Sequence, residues 1–239
     1  MFLSLSNDKS LNYFPDNTLS AFTVRLPETL NLIGEWKVGL TDIFIPKTWY
    51  NVQEGEIWIK CFAENQEYAF AIPAGYYPTV FSLVPPIPLQ FRTVPRLAIA
   101  MNFDPTTMRA AFVVTSDREI QLSPRLQTLL GFETDRLRAG WHTCPRLADF
   151  DENILYVYCD LVQDRFDGET LAPLLTWVDS SGRFGSVMHR YYERVSYHKV
   201  QKKKFQTVSI RIKDAHKRTI AFKAGRLLMT LHLRKVAQV

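Results

Sequence analysis

The amino-acid sequence predicts an all-β protein built as a sandwich or a barrel. Short runs of alternating apolar and polar residues recur along the 239 residues, and turns rich in Pro, Gly and Asn separate them. Side chains alternate between the two faces of a strand, so these runs indicate sheets with one buried and one solvated face. Apolar residues make up 46% of the chain, which is enough for a packed core. No repeat or linker divides the sequence, so we expect one domain over residues 1–239.

The clearest strand pattern lies between Tyr13 and Tyr50, after a turn signal at Pro15-Asp16-Asn17. Two strands are predicted there, with apolar faces formed by Phe22, Val24 and Leu26 and by Trp36, Val38 and Leu40. Pro27 is expected to end the first of them, because proline cannot donate a ladder hydrogen bond. No nucleophile, metal-ligand cluster or phosphate loop lies in this stretch.

Further strands are predicted at Glu56–Phe62, Glu67–Ile72, Leu97–Phe103, Ala110–Thr115, Glu119–Leu122, Ile154–Leu161, Leu171–Val178, Phe184–Tyr192, Val208–Lys213 and Leu227–Arg234. The last two alternate most regularly. Because only residues 214–225 separate them, we expect these two strands to pair or to lie side by side.

One or two short helical insertions are predicted between the strands. Ser123 can cap a helix that begins at Pro124 and ends at Gly131, with Leu126, Leu129 and Leu130 as its apolar stripe. A second helix can begin at Thr79, but the prolines at 85, 86 and 88 limit it to one or two turns. The least patterned segment, Gly131–Asp151, is expected to be a long exposed loop.

Charge is distributed unevenly along the chain. Residues 1–182 carry 14 basic and 22 acidic residues, a net of −8, whereas residues 183–239 carry 15 and 2, a net of +13. This asymmetry favours an acidic partner, either nucleic acid or an acidic protein face. The run Lys202-Lys203-Lys204 is the strongest candidate contact. Lysines at a sheet edge also prevent aggregation, and interleaved strands could disperse the basic segment, so these alternatives stay open.

Motifs for catalysis or for metal binding are missing from the sequence. Cys61, Cys144 and Cys159 are odd in number and far apart, so we interpret them as reduced core thiols. The five histidines form no HxH or HExxH spacing, and no GxSxG or phosphate-binding glycine motif occurs. Carboxylates cluster at Asp149, Asp151 and Glu152 and again at Asp160, Asp164, Asp167 and Glu169. The second cluster could supply oxygen ligands to a calcium ion, but EF-hand spacing is absent, so solvated loop carboxylates are favoured. We therefore predict no cofactor, no metal and no enzyme activity.

Targeting signals are weak as well. The start of the chain, MFLSLSND, lacks the basic residues and the apolar length of a secretory signal. No apolar run approaches the roughly 20 residues of a membrane-spanning helix. We expect a soluble protein that is made in the cytosol.

Taken in order, several blocks of the sequence resemble one family. They are YFPDNTLSAFTVRLPETLNLIGEWKVGLTDIFIPKTWYNV, IPAGYYPTVFSLV (72–84), LSPRLQTLLGF (122–132), NILYVYCDLVQDRFDGETLAPLL (153–175), HRYYERVSYHKVQKKKFQTVSIRIKD (189–214) and LLMTLHLRK (227–235). Together they resemble the minor capsid (penton) protein of Polinton/Maverick elements and the related adintoviruses. The segment VPPIPLQ departs from the family, which usually continues a helix there.

The resemblance implies a single jelly roll, in which two four-stranded antiparallel sheets form a sandwich. It also implies a homopentamer at the fivefold vertices of an icosahedral virion. The partners would be a double jelly-roll major capsid protein and, inside the particle, encapsidated DNA. Synthesis in the host cytoplasm and assembly in the nucleus would follow. Heterologous contacts close such rings, and Lys202–Lys204 could meet acidic loops of the adjacent subunit.

Two other functions compete with the capsid role. A lectin-like β-sandwich would use exposed aromatic side chains, for which Trp49, Tyr50, Trp141 and Trp177 are the candidates. A cupin-like metalloenzyme would need histidines and a carboxylate that converge from distant strands.

Overall fold

A computed structural model describes residues 1–63, 66–83, 85–91, 99–115, 118–148, 154–215 and 217–236. The early strands are β1 (Phe2–Ser6), β2 (Ala21–Asn31), β3 (Trp36–Pro46), β4 (Ile57–Ala63), β5 (Gln66–Ala71), β6 (Ile99–Asp104), β7 (Arg109–Val114), β8 (Arg118–Leu122) and β9 (Arg136–Leu137). The later strands are β10 (Gly140–Thr143), β11 (Ile154–Cys159), β12 (Arg165–Asp167), β13 (Thr170–Ala172), β14 (Leu174–Asp179), β15 (Val187–Tyr191), β16 (His198–Lys199), β17 (Lys204–Lys213) and β18 (Leu228–Lys235). Three short helices are α1 (Val80–Leu83), α2 (Pro86–Phe91) and α3 (Pro124–Leu130).

The chain divides into two compact units. The first, which we call the sandwich unit, combines Met1–Trp49 with Glu152–Val239, and the second, the middle unit, is Tyr50–Asp151. Each unit has its own cluster of buried apolar side chains. A single domain over residues 1–239 stays a prediction.

The sandwich unit contains two four-stranded antiparallel sheets. One has the order β1-β18-β3-β15, with the two-residue strand β16 also paired to β3, and the other has the order β14-β11-β17-β2. A small hairpin, β12–β13, lies between β11 and β14 in the sequence. The apolar faces of both sheets contribute to one core, in which Val38, Leu231 and Ile210 are fully buried.

The pairing of the eight principal strands follows a simple rule. Numbered along the chain, the first strand pairs with the eighth, the second with the seventh, the third with the sixth and the fourth with the fifth. This is the pairing of one long antiparallel hairpin that has been rolled into two sheets. It is the double-sheet jelly roll, so the predicted fold class is confirmed.

Alternation of side chains explains why these strands bury one face. In β17, Phe205, Val208, Ile210 and Ile212 are buried, while Arg211 between the last two is exposed. Burial of one such aliphatic side chain contributes about 1.5–3 kcal/mol. The sandwich core therefore depends on the faces that the sequence pattern predicted.

Pro27 does not end its strand, contrary to the sequence prediction. β2 runs on to Asn31, and it pairs only with β17, so it is an edge strand. Its register moves from Arg25 opposite Thr207 to Leu30 opposite Phe205, which places the proline in an irregular stretch of the ladder. A proline is tolerated there because no ladder hydrogen bond is required of it.

The predicted pairing of the last two long strands is wrong. β17 pairs with β11 and β2, whereas β18 pairs with β1 and β3, so the two strands belong to different sheets. Their apolar faces contribute to the same core. The intervening segment therefore crosses from one sheet to the other instead of turning a hairpin.

The middle unit is also built mainly from strands. One sheet has the order β5-β4-β8-β9 and the other the order β10-β7-β6. Trp58, Phe112 and Leu126 are fully buried in its core. The unit interrupts the rolled hairpin between its third and fourth principal strands, β3 and β11.

The helices lie in the middle unit. The predicted helix at Ser123–Gly131 is confirmed: the Ser123 hydroxyl accepts a hydrogen bond from the Leu126 amide at 3.2 Å, and Gly131 ends the helix with a left-handed φ of 77°. The predicted helix after Thr79 corresponds to α1. The proline-rich segment, whose conformation the sequence pattern left open, contains the short helix α2. Among the described residues, no helix has the length and apolar character that crossing a membrane requires.

The prediction of one long exposed loop over Gly131–Asp151 is wrong for the described part of that segment, residues 131–148. It contains β9 and β10, and Cys144 and Ala148 are buried in the core of the middle unit. The Cys144 amide donates a hydrogen bond to the Ala110 carbonyl at 2.9 Å, which ties the segment to β7. Apolar and polar residues alternate only weakly in this segment because β10 is an edge strand with no buried face.

Candidate functional site

The lysine run does not act as one group. Lys202 forms an ion pair with Asp160 of the same chain, with 2.5 Å between Nζ and Oδ2. The other oxygen of this carboxylate accepts a hydrogen bond from the Ser209 amide at 2.8 Å. Lys203 and Lys204 are exposed where the chain enters β17. Lys202 is thus engaged within the chain, and a contact of the three lysines with an external partner stays a prediction.

Much of the charge asymmetry is compensated inside the sandwich unit. Basic residues of the late segment pair with acidic residues that precede them in the sequence. These pairs are Lys199 with Glu35, Arg190 with Asp179, Lys202 with Asp160, Lys217 with Asp167 and Arg226 with Asp8. The strands interleave, as one of the two sequence interpretations anticipated, so the +13 segment does not form one continuous basic face.

A pocket of about 540 Å³ lies against the outer face of the second sheet. Its floor is formed by β11 and β17, and residues of the β12–β13 hairpin form part of its wall. The charged groups at its surface are Asp160, Arg211, Lys213 and Lys217. Three cations and one carboxylate therefore line one concave surface.

Aromatic rings hold the pocket lysines in place. The ammonium of Lys217 lies 5.0 Å from the centre of the Tyr156 ring, and that of Lys213 lies 5.9 Å from the centre of the Tyr158 ring. Lys217 also pairs with Asp167, and the Tyr158 hydroxyl donates to the same carboxylate at 2.8 Å. Burial raises the pKa of Tyr158, so this hydroxyl keeps its proton.

Sequence reasoning missed this pocket. Its residues come from β11, the β12–β13 hairpin, β17 and the loop after β17, so no local spacing unites them. One signal was available: Ser209, Arg211 and Lys213 occupy the solvated face of a strand whose other face is buried. The alternation thus predicted where Arg211 and Lys213 point, but not what surrounds them.

The outer face of the first sheet is different, because apolar and imidazole groups stack there. The rings of Phe2 and His232 lie 4.4 Å apart, and those of Phe44 and His189 lie 4.0 Å apart. The Tyr197 hydroxyl is 2.6 Å from Nδ1 of His232. Phe2, Val187 and Tyr191 are each more than 60% exposed.

The residues tested for enzyme chemistry do not gather into a site. All three cysteines are free and buried, as predicted, and burial raises the pKa of Cys159 to about 12. Across the ranges that the structure describes, no three His, Cys, Asp or Glu side chains are grouped as a metal would require. The carboxylates Asp149, Asp151 and Glu152 lie outside those ranges.

The aromatic residues considered as sugar platforms have unlike environments. Trp49 is 4% exposed and packs edge-on against Phe222 in the sandwich core, so it cannot serve as a platform. Trp141 and Trp177 are 66% and 56% exposed. Each of these two belongs to a different unit.

The strand pairing defines a jelly-roll protein, an architecture used by viral capsid and lectin domains. Among solved structures, the crystal structure of the mavirus penton protein is similar to the chain with a TM-score of 0.53. The match covers 99% of this chain and 99% of that one, at 8% sequence identity. No protein-family model matches the sequence, and no curated protein matches it. The resemblance to penton proteins is thus confirmed at the level of the fold.

Proposed function

We propose that the chain is a structural, penton-type minor capsid protein of the kind that Polinton/Maverick elements and adintoviruses encode. Five copies would form the fivefold vertex of an icosahedral virion. Its partners would be further copies of itself, a double jelly-roll major capsid protein and encapsidated DNA. It would be made in the host cytoplasm, assembled in the nucleus and have no enzyme activity.

One observation carries this proposal. The eight-stranded rolled hairpin and the inserted middle unit together match the mavirus penton protein over 99% of both chains. A lectin or an enzyme built on an unrelated jelly roll would share the sandwich, but it would have no reason to share the whole length. The role needs rigid sheets and adhesive surfaces rather than an active site.

The exposed surfaces of the sandwich unit are suited to subunit contacts. A closed ring uses two different faces of each subunit. The outer face of the first sheet offers the exposed apolar side chains of Phe2, Val187 and Tyr191. The second sheet offers a basic pocket and, at the start of β17, the exposed Lys203 and Lys204. Such unlike faces are what a heterologous contact requires.

The mass of the purified protein in solution tests the proposal. Size-exclusion chromatography with light scattering at low salt should give about five times the 27.7 kDa of one chain. A chain that stays monomeric at every concentration, and also in the presence of a double jelly-roll major capsid protein, would contradict the penton role.

Charge reversal then tests the contribution of the lysines to assembly. Lys203→Glu with Lys204→Glu should shift the pentamer toward monomers, because two attractive contacts to a neighbouring acidic loop become repulsive. Lys9→Glu with Lys235→Glu is a matched control on other exposed lysines of the same unit. Lys202 is left intact because it pairs with Asp160 inside the chain. Unchanged pentamers in the first variant would rule out this contact but not the penton role.

A lectin-like function is the second candidate, and the exposed ring of Trp177 is the observation that favours it. Sugars stack on exposed aromatic faces, and jelly rolls include lectins. A glycan array with the wild-type protein and with Trp177→Ala tests it. Binding that the variant loses would support a lectin, and an array without any hit would exclude this candidate.

A further inference from the structure

We propose that the pocket on the outer face of β11 and β17 binds a phosphate group. The pocket encloses about 540 Å³ and is lined by Arg211, Lys213 and Lys217. These three cations come from a strand and from the loop that follows it, and they surround one concave surface. This inference concerns ligand binding and does not rest on the capsid role.

The charges of the pocket leave room for a dianion. One of its two lysines is already neutralised, because Lys217 pairs with Asp167. Its one lining carboxylate, Asp160, is neutralised by Lys202, which lies outside the lining. Among the described residues, no carboxylate lies within ion-pair distance of Arg211 or Lys213. After these pairs are counted, the net charge of the lining residues and their partners is +2, carried by Arg211 and Lys213. A phosphate monoester carries about −1.5 to −2 charges at neutral pH and balances them, whereas a single carboxylate balances only one.

The pocket is also organised before any ligand arrives. Lys217 has a φ of 62°, a left-handed conformation that residues with a Cβ rarely adopt, and its amide donates to the Asp214 carbonyl at 3.0 Å. Unfavourable backbone geometry of this kind concentrates at ligand sites. The Tyr156 ring and the Asp167 carboxylate fix the direction of the Lys217 side chain. Fixed cations lose little side-chain entropy when they bind an anion.

Arg211 supplies the geometry that distinguishes phosphate from a simple counterion. It stands on β17, one of the two inner strands of the sheet, opposite Tyr158 on one side and Ala21 on the other, and it is exposed. A guanidinium presents paired donors that match two oxygens of a phosphate, and the neighbouring ammonium of Lys213 can reach a third.

The phosphate could be free, or it could belong to a nucleic acid strand. The same sheet face carries Trp177, 56% exposed and directly opposite Tyr156 in the neighbouring strand. A base attached to the bound phosphate could stack on this exposed ring, since stacking platforms beside cations are how proteins hold single strands. The two sources share the same chemistry at the pocket and differ only in whether Trp177 takes part.

Titration of the full-length protein with inorganic phosphate at constant ionic strength tests the proposal, with amide shifts in NMR spectra as the readout. Saturable shifts are expected at Tyr158, Thr170 and Arg211. Arg211→Gln with Lys213→Gln should weaken binding at least about 10-fold, because each lost charged hydrogen bond is worth roughly that factor. Lys203→Gln with Lys204→Gln removes the same charge where the chain enters β17, outside the pocket, and should change the affinity less than about 2-fold.

Two results would overturn the proposal: shifts that never saturate, or an equal loss of affinity in both double variants. A short thymidine oligonucleotide and Trp177→Ala then distinguish the sources. If nucleic acid is the source, Trp177→Ala weakens oligonucleotide binding about 10-fold and leaves inorganic phosphate binding unchanged. If free phosphate is the source, the oligonucleotide binds no more tightly than phosphate and the variant changes neither.

Discussion

The sandwich unit and the middle unit are both rich in strands, but they connect those strands in opposite ways. In the sandwich unit, β1 pairs with β18 and β2 pairs with β17, so residues from the two ends of the sequence meet. In the middle unit, β4 pairs with β5 and β6 pairs with β7, so sequence neighbours meet. The first unit needs long-range closure, whereas the second can form many contacts locally.

The two units also differ in charge. The sandwich unit carries 20 basic and 13 acidic residues, a net of +7, whereas the middle unit carries 9 and 11, a net of −2. The basic surplus of the whole chain therefore belongs to the unit with the rolled hairpin. Many of its lysines and arginines are paired in the chain, and the remainder includes Arg211, Lys213, Lys203 and Lys204. The comparison teaches that a biased sequence segment can be largely neutralised by strand interleaving.

Removal of a core side chain from the sandwich unit should have the largest effect. Ile210 is fully buried on the central strand β17, so Ile210→Ala should lower the free energy of unfolding by about 2–5 kcal/mol. Urea denaturation measures the loss. Lys204→Ala, exposed on the same strand, should change the free energy of unfolding by less than about 0.5 kcal/mol.

Hydrogen exchange on the same variant sharpens the comparison between units. With separate cores, Ile210→Ala should reduce amide protection in β11 and β17 and spare β4 and β7. An equal loss in both units would instead favour the single cooperative domain that the sequence predicted.

A smaller effect is expected at the end of α3 in the middle unit. A Cβ at Gly131 would lie 2.5 Å from the Arg146 carbonyl oxygen, and φ there is 77°. Gly131→Ala should lower the free energy of unfolding by about 1–3 kcal/mol from the clash, in addition to about 1–2 kcal/mol from the left-handed backbone. Gly55→Ala is the control, because φ is 74° and no atom lies within 4 Å of the added carbon. Equal losses in both variants would show that the clash is relieved.

The smallest effect is a pH dependence of the sandwich unit. Burial, and then the guanidinium of Arg165 beside the ring, hold the pKa of His198 below 6.5. The unfolded chain therefore binds this proton more readily, so stability is complete above pH 6.5 and is lost as pH falls through the lowered pKa. The urea midpoint should decline between about pH 7 and about pH 5.

His198→Gln should make that decline shallower. It should not remove it, because burial also lowers the pKa of His232. A His198→Gln protein with the full slope would exclude the Arg165–His198 pair as a cause.

Local features could be predicted from the sequence with good accuracy. The buried faces of β17 and β18 follow from alternation alone, and α3 follows from Ser123, Pro124 and Gly131, each of which acts within one helical turn. Buried, reduced cysteines followed from their odd number and spacing. These features depend on residues that are close in the chain, which is the range over which side-chain patterns carry information.

Long-range features could not be predicted in the same way. Alternation shows which face of a strand is buried, but it does not show which strand lies alongside, so β17 and β18 were assigned to one sheet. The lysine run was visible in the sequence. Its pattern did not show that Lys202 pairs with Asp160, 42 residues away, while its two neighbours stay exposed. The pocket around Arg211 likewise combines segments that lie far apart in the sequence. The resemblance of several ordered sequence blocks to one family implied a jelly roll, and it thereby indicated the long-range strand arrangement that local patterns do not show.

The pairing of β1 with β18 has a consequence for biosynthesis. A ribosome releases the first strand long before the last, so β1 waits without its partner while the rest of the chain is made. The middle unit, whose strands pair with near neighbours, can be complete by then. During that interval the first long strands expose apolar faces, so we expect a nascent chain halted before Leu228 to need a chaperone, and the finished chain to release it.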